Sequence, residues 1–312
     1  MLFRSVDLIA TAYWAYNARL MKEMAHAAGN SEGEKKYGIL FEKIRDAFYQ
    51  AYAKPDGWVG GVPPPPVFAS ATETKLSDKP VETQTGYVLA LQMDLLPASV
   101  RPLAAQRLVD RIAANHWRLG TGFLGTPYLL SALTDTGHAD VAYRLLLSTE
   151  YPSWGYLVEH GATTMWERWN GDQMKGDPSM NSYNHYAYGA VGDWIYRYAA
   201  GIDTTADQPG FHVISLHPNF DTRLGSVDFS YESSYGTIHS AWTVSGKQAT
   251  WNLTIPPNAT GRLTLTAAEQ AAYRLDGQAL SGNAKILGGK EEDGKKSFDV
   301  PAGTYQFQVA LP

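Results

Sequence analysis

An aromatic stretch between residues 152 and 194 holds the residue types in this sequence that could do chemistry. It contains four of the nine tryptophans of the chain, Trp154, Trp166, Trp169 and Trp194. Flat aromatic faces beside carboxylates suit sugars, because sugar C–H groups stack on rings while sugar hydroxyls bond to acids, amides and imidazole. The alternative is that these tryptophans fill the core of a helical bundle. The composition of the stretch leaves both interpretations open.

Glu167 is the acidic residue that this stretch places among tryptophans, between Trp166 and Trp169. The residues around it are too rich in Gly and Thr for an obvious helix interior, so an acid held there is a candidate for proton transfer. The ordinary explanation for a lone glutamate is a salt bridge with Arg168 or a solvated position. The residue types alone do not decide between these roles.

The overall composition excludes several classes of protein. The 312 residues are 44% hydrophobic and 12% aromatic, which predicts a folded protein rather than a disordered one. Lys and Arg number 26 against 31 Asp and Glu, and they form no basic block, so we expect no nucleic-acid partner. The absence of cysteine excludes disulfides, thiolate metal sites and cysteine nucleophiles.

No cofactor or metal is predicted. No metal-ligand spacing is shown by His138, His160, His212, His217 and His239. The series Gly120-x-Gly122-x-x-Gly125 imitates a dinucleotide-binding fingerprint, but it follows a predicted helix rather than a strand and lacks a βαβ unit around it. We interpret it as a tight joint.

The N-terminal residues resemble no signal peptide, because Arg4 and Asp7 interrupt the apolar run and no small-residue cleavage site follows. No stretch approaches the roughly 18 apolar residues of a membrane helix. We therefore expect a soluble, cytoplasmic protein without a membrane partner, unless a longer parent chain carries a targeting segment.

The first two thirds of the sequence have helical periodicity. Gly29 and Gly201 stand where helix ends favour a left-handed residue. A long loop is predicted over residues 57 to 80, which contain four consecutive prolines. The predicted helices, spaced as stacked helical hairpins, are 5–28, 31–52, 84–96, 100–115, 123–136, 138–148 and 182–200.

Beyond residue 201 the hydrophobic period becomes two, as in half-buried antiparallel strands. Trp251, Leu253 and Ile255 show this alternation most clearly. Turns are predicted at Gly246, Asn258, Asp276-Gly277, Gly288-Gly289, Asp293-Gly294 and Pro301-Ala302-Gly303. Helices followed by strands, without mixing, predict two domains: a helical domain at 1–201 and a β-sandwich at 202–312.

Two segments of the aromatic stretch resemble the signature of glycoside hydrolase family 78, the bacterial α-L-rhamnosidases. They are GATTMWERWNG (161–171) and SYNHYAYGAVGDW (182–194). The resemblance extends through ETQTGYVLAL (82–91), LGTGFLGTPYLLSAL (119–133) and YPSWGYLVEHGATT (151–164). It implies the layout of that family, in which a C-terminal β-sandwich follows an (α/α)6 catalytic barrel.

The resemblance implies an inverting glycosidase that releases terminal α-L-rhamnose from a rhamnose-containing glycoside. In such an enzyme one carboxylic acid protonates the departing oxygen while an opposite carboxylate activates water. Glu167 matches the general base of the family, and His185 matches a histidine that contacts the terminal rhamnose. We expect the remaining sugar contacts from Trp154, Trp166, Trp169 and Asn184.

The sequence also departs from the family. The motif rich in Asp, Arg and Glu that carries the general acid is absent, and seven predicted helices stand where an (α/α)6 barrel has twelve. We therefore expect an incomplete barrel without its N-terminal half. Glu159, Asp172 and Asp177 are the candidates for a substitute acid. Uncovered helix faces predict self-association, with a homo-oligomer the expected state.

Two other functions remain open at this stage. The chain could be a catalytically impaired carbohydrate-binding fragment that retains Glu167, His185 and the aromatic wall without a proton donor. It could also be an (α/α)6 glycosidase or lyase that acts on a different sugar.

Overall fold

The computed structural model describes residues 5–62, 79–174, 176, 181–205 and 208–311. The chain divides into two compact units, Met1–Ala190 and Val191–Pro312. The first unit is helical, and the second is built mainly from strands. The predicted fold class, an incomplete helical barrel of the (α/α)6 type followed by a β-sandwich, is confirmed, while the domain limits 1–201 and 202–312 stay a prediction.

Helix ends in the first unit follow the sequence closely. Ser5 caps the first helix by accepting a hydrogen bond from the Leu8 N–H at 3.2 Å, and Gly29 follows that helix with a φ of 69°. The α-helices of this unit are α1 (Val6–Ala27), α2 (Ser31–Tyr52), α3 (Gln84–Gln92), α4 (Arg101–Ala114), α5 (Thr126–Asp135), α6 (Ala139–Leu146) and α7 (Trp154–Glu159).

The helices of the first unit form hairpins arranged in two layers. Helix α1 packs against α2, α3 against α4 and α5 against α6, while α3 also contacts α1 and α5. Every residue from Gln84 to Leu91 in α3 is buried, whereas α2 and α4 bury only one face. A helix buried on all sides belongs to an inner layer, and an amphipathic helix belongs to an outer one. The predicted stacking of helical hairpins is confirmed.

The predicted helix over residues 182–200 is wrong in its first part. Residues 182–186 are not helical, and the chain then passes through a 3₁₀ turn (Ala187–Ala190), the short helix α8 (Val191–Trp194) and a π-helical turn (Ile195–Ala199). Gly201 ends this segment with a φ of 71°, as predicted. Most of the predicted loop at 57–80, including its four prolines, lies outside the described residues.

The second unit is a sandwich of two sheets. One sheet has the strand order β1-β2-β6-β10-β9 and the other β3-β4-β5-β11-β7-β8; β2 pairs with β6 in parallel, and the other pairs are antiparallel. The strands are β1 (Ile202–Asp203), β2 (Val213–Leu216), β3 (Ser226–Ser233), β4 (Gly236–Ser245), β5 (Gln248–Ile255), β6 (Thr260–Thr266), β7 (Tyr273–Leu275), β8 (Gln278–Ala279), β9 (Leu287–Glu292), β10 (Lys295–Val300) and β11 (Gly303–Ala310).

The core of the sandwich follows the predicted alternation. Trp251, Leu253 and Ile255 are buried in β5, and Trp242 lies opposite Trp251 on β4. A short helix, α9 (Ala267–Ala272), follows β6. The predicted turn at Gly288-Gly289 is wrong, because both residues lie within β9; the partner strand β10 is irregular between Lys296 and Phe298 at this point. No helix among the residues described is long and apolar enough to cross a membrane.

Candidate active site

Two segments of the aromatic stretch pair through their backbones and bring the main candidate residues together. The Glu167 N–H donates to the Ser182 carbonyl at 2.8 Å, and the His185 N–H donates to the Met165 carbonyl at 2.8 Å. The His185 N–H therefore has its partner in the other segment and not in a preceding helical turn, which is one reason why residues 182–186 do not continue as helix. The pairing places Glu167 and His185 on adjacent segments.

The carboxylate of Glu167 takes part in the same pairing. Its Oε2 accepts a hydrogen bond from the Ser182 N–H at 2.8 Å, and only 9% of the residue is exposed. This burial excludes the freely solvated position considered for a lone glutamate. A backbone donor on one carboxylate oxygen fixes the orientation of the group, so the neighbouring segment holds the candidate base in place.

His185 is oriented by a hydrogen bond and by two aromatic rings. The Ala187 N–H donates to Nδ1 of His185 at 3.2 Å, which assigns the proton of the neutral imidazole to Nε2. The imidazole stacks on Phe123, with ring centroids 4.8 Å apart and planes at 12°. Tyr186 also stacks on the imidazole, with ring centroids 5.2 Å apart and planes at 9°. Sequence reasoning missed Phe123 as part of the site, although its LGTGFLG segment belongs to the resemblance.

The tryptophans predicted to bind sugar are buried side chains. Trp154 donates from Nε1 to the Tyr188 carbonyl at 2.9 Å and meets the ring of Trp169 edge-on at 5.5 Å. Trp169 stacks on Tyr188 at 3.8 Å, and Tyr188 in turn lies 5.4 Å from Phe123. These contacts join Trp154 and Trp169 to the rings around His185. Their burial also fits the alternative that they fill a core.

One buried donor in this aromatic cluster lacks a partner. Nε1 of Trp169 is inaccessible and forms no hydrogen bond within the described part of the chain. An unpaired buried N–H costs about 1–3 kcal/mol, which makes it a natural donor for a water or a ligand hydroxyl. Trp166 packs edge-on against Tyr183 at 5.6 Å. Asn184 is exposed, and its backbone N–H donates to Oγ of Ser182 at 3.1 Å.

The candidates for a substitute acid have different surroundings. Asp172 accepts a hydrogen bond from the Tyr156 hydroxyl, with the shorter contact, at 3.2 Å, to Oδ2. Burial raises the pKa of the Tyr156 hydroxyl, and the charge of Asp172 acts in the same direction. Glu159 is exposed at the end of α7, and Asp177 lies outside the described residues.

Two cavities in the first unit lie apart from the candidate residues. They have volumes of about 370 and 300 Å³, and Asp94 and Arg101 line both of them. Neither lining includes a candidate residue. No group of three His, Asp or Glu side chains suited to a metal ion occurs within the residues that the structure describes.

Two family models match consecutive parts of the chain. Residues 3–199 match the bacterial α-L-rhamnosidase 6 hairpin glycosidase domain. Residues 201–279 match the bacterial α-L-rhamnosidase C-terminal domain. The first match covers more than half of the chain.

Curated α-L-rhamnosidases match nearly all of this chain but are themselves much longer than it. An α-L-rhamnosidase of Streptomyces avermitilis is 39% identical over 307 residues, which make up 97% of this chain and 27% of that protein. An α-L-rhamnosidase of Formosa agariphila is 34% identical over 98% of this chain and 31% of its own length. The chain thus spans less than a third of the length of these relatives.

Solved structures agree with this assignment. The crystal structure of S. avermitilis α-L-rhamnosidase complexed with L-rhamnose superposes with a TM-score of 0.79 at 38% identity, covering 97% of this chain and 27% of that one. The structure of α-L-rhamnosidase from Dictyoglumus thermophilum gives a TM-score of 0.76 at 25% identity, covering 96% of this chain and 31% of that one. The resemblance seen in the sequence is confirmed, and the chain belongs to the bacterial α-L-rhamnosidase family.

Proposed function

We propose that this chain carries the general-base side of an α-L-rhamnosidase active site and hydrolyses terminal α-L-rhamnosides with inversion. The observation that carries this proposal is the backbone pairing that holds the buried Glu167 carboxylate on the segment next to His185. Membership of the family supports the substrate class, and the S. avermitilis relative was crystallised with L-rhamnose.

In the proposed reaction, Glu167 accepts a proton from the water that attacks the anomeric carbon. The Ser182 N–H occupies Oε2, so Oε1 is the oxygen assigned to the water. His185 donates from Nε2 to a sugar hydroxyl, which fits the tautomer set by the Ala187 N–H. Trp154, Trp166 and Trp169 support the wall against which the sugar packs, with Asn184 at its exposed edge.

Inversion also requires a general acid on the opposite side of the sugar. The two carboxyl groups of inverting glycosidases stand roughly 6.5–9.5 Å apart, which leaves room for the attacking water. Asp172, Glu159 and Asp177 remain the candidates within this chain. A neighbouring copy is the other proposed source of the acid, since α1 exposes apolar side chains that association would cover, with Trp14 58% exposed.

A carbohydrate-binding fragment without turnover is the second candidate function. This candidate is favoured because the chain spans only 27–31% of the length of its relatives. If the proton donor of those proteins lies in the remaining part, this chain does not carry it. Such a chain would retain the rhamnose contacts of His185 but would not break the glycosidic bond.

The test is hydrolysis of an aryl α-L-rhamnoside by the purified chain, followed by NMR of the newly released sugar. The proposal predicts turnover with β-L-rhamnose as the first product. Rhamnose binding without turnover would support the binding fragment, and α-L-rhamnose as the first product would contradict inversion. Turnover of another aryl glycoside in a panel, in place of the rhamnoside, would indicate a different sugar specificity.

A further inference from the structure

The loop between α4 and α5 places an aromatic ring flat against His185. Phe123 lies parallel to the imidazole within 12°, with the ring centroids 4.8 Å apart. It also contacts the buried Tyr188 at 5.4 Å. We infer that Phe123 is a positioning residue, which holds the His185 imidazole with its Nε2–H directed to the sugar. This inference rests on the rhamnose-binding role proposed for His185.

A neutral imidazole needs two constraints before it can act as a defined donor. Its proton can sit on either nitrogen, and the ring can rotate about its bond to Cβ. The Ala187 N–H addresses the first constraint, because it bonds to Nδ1 and leaves the proton on Nε2. Phe123 addresses the second, because a ring stacked on its flat face resists rotation.

The loop that carries Phe123 is built to keep its shape. The buried Gln84 side chain accepts from the Gly120 N–H at 2.7 Å and donates to the Arg118 carbonyl at 3.1 Å. A Cβ at Gly120 would lie 2.8 Å from Cδ of Gln84, so a larger residue there would displace the amide group that forms these two hydrogen bonds. The loop therefore has a fixed backbone just before Phe123.

The entry to the same loop adopts an uncommon backbone conformation. His116 and Trp117 have φ values of 56° and 59°, in the left-handed region that non-glycine residues seldom occupy. Such conformations persist where surrounding contacts hold them, and Gln84 supplies such contacts at the adjacent Arg118. The strained entry and the Gln84 bonds both determine where Phe123 stands.

The neighbouring residue Leu124 offers a matched control. Leu124 is 39% exposed and Phe123 is 37% exposed, so truncating either removes a half-exposed apolar side chain from the same loop. The Leu124 side chain has no ring and so cannot stack on the imidazole. Any effect specific to Phe123 therefore reports the stacking rather than a general loosening of the loop.

The experiment combines binding with a direct measurement of the imidazole. Histidine labelled with ¹³C and ¹⁵N reports the tautomer of His185, which is assigned among the eight histidines by comparison with His185→Gln. L-rhamnose affinity is measured by calorimetry for the wild-type chain, Phe123→Ala, Phe123→Tyr, Leu124→Ala, His185→Ala and the double variant Phe123→Ala/His185→Ala. Thermal unfolding checks that each variant is folded.

We expect Phe123→Ala to bind L-rhamnose about 2- to 10-fold more weakly, the range that an aromatic pair supports. We expect His185→Ala to bind L-rhamnose about 5- to 150-fold more weakly, as for a buried polar group left unpaired. The double variant should match His185→Ala, because Phe123 acts through that residue. Phe123→Ala should also show a mixture of tautomers, because an imidazole that is free to rotate loses the hydrogen bond from the Ala187 N–H that keeps the proton on Nε2. Phe123→Tyr and Leu124→Ala should resemble the wild type.

Two results would overturn the inference. One is an unchanged His185 tautomer in Phe123→Ala, and the other is a double variant whose loss is the product of the two single losses. A different result would count against the proposed function: a wild-type chain that does not bind L-rhamnose, or His185→Ala with unchanged affinity. The tautomer measurement needs no ligand and still judges Phe123 in that case.

Discussion

Replacing Glu167 with glutamine separates a chemical role of this residue from a structural one. The glutamine amide has the same shape, and its oxygen can still accept the Ser182 N–H that Oε2 accepts at 2.8 Å. The loop pairing should therefore survive at a cost near 1 kcal/mol, the difference between a charge-assisted and a neutral hydrogen bond. The amide cannot take a proton from water, so the proposed chemistry should fail.

The expected loss of turnover is large compared with the loss of stability. Removing a general base typically costs ~10² to 10⁴ in rate, or about 3 to 5 kcal/mol of transition-state stabilisation. The assay compares kcat for an aryl α-L-rhamnoside between the wild type and Glu167→Gln, with thermal unfolding of both. A Gln variant that keeps more than a small fraction of wild-type kcat would show that Glu167 is structural.

Glu167→Ala is the matched control for the structural contribution. It removes the base and also leaves the Ser182 N–H unpaired, which should cost about 1–3 kcal/mol of stability beyond the glutamine variant. Azide is a stronger nucleophile than water and needs no base, so it should restore turnover in Glu167→Ala and yield β-L-rhamnosyl azide. Absence of this rescue in a folded variant would count against the assigned role.

Three further predictions concern the elements around the site. Gln84→Ala leaves the Gly120 N–H without its partner and should lower the free energy of unfolding by about 1–3 kcal/mol, measured by urea denaturation; an unchanged value would show that the loop does not depend on Gln84. The hydrogen bond with His217 lowers the pKa of Glu269 from 4.5 to about 2. The ionised Glu269 therefore stabilises the fold above pH 4.5, and this stabilisation is lost as the pH falls towards 2. Unfolding curves at about pH 5 and about pH 3 should differ less in stability for Glu269→Gln than for the wild type. Light scattering should show a dimer or larger species, and Trp14→Lys should weaken this association. A monomer with full rhamnosidase activity would contradict both the association and the supply of the general acid by a neighbouring copy.

Local sequence signals predicted most of the helices and the strand alternation. The burial of Trp251, Leu253 and Ile255 follows a period of two, which is a property of neighbouring residues and needs no knowledge of the fold. Two short elements had readable signals that sequence reasoning missed. Ser153 caps α7 by accepting from the Tyr156 N–H, and Thr266 forms a capping box with Glu269 at the start of α9.

The errors arose where distant segments decide the backbone. Residues 182–186 have a sequence compatible with helix, but Glu167 and Met165 bind the N–H groups of Ser182 and His185. Tertiary partners of this kind override local propensity. Phe123 was missed for the same reason, because its stacking on His185 joins residues 62 positions apart (185 minus 123) and leaves no local pattern.

A crystal structure of the chain with L-rhamnose tests the central claim most directly, since it shows which side chains surround the sugar. We predict that the sugar lies between the two paired segments, with a hydroxyl within hydrogen-bond distance of His185 Nε2 and a water between the anomeric carbon and Glu167. Rhamnose bound at another surface, or a sugar whose anomeric carbon faces away from Glu167, would contradict it.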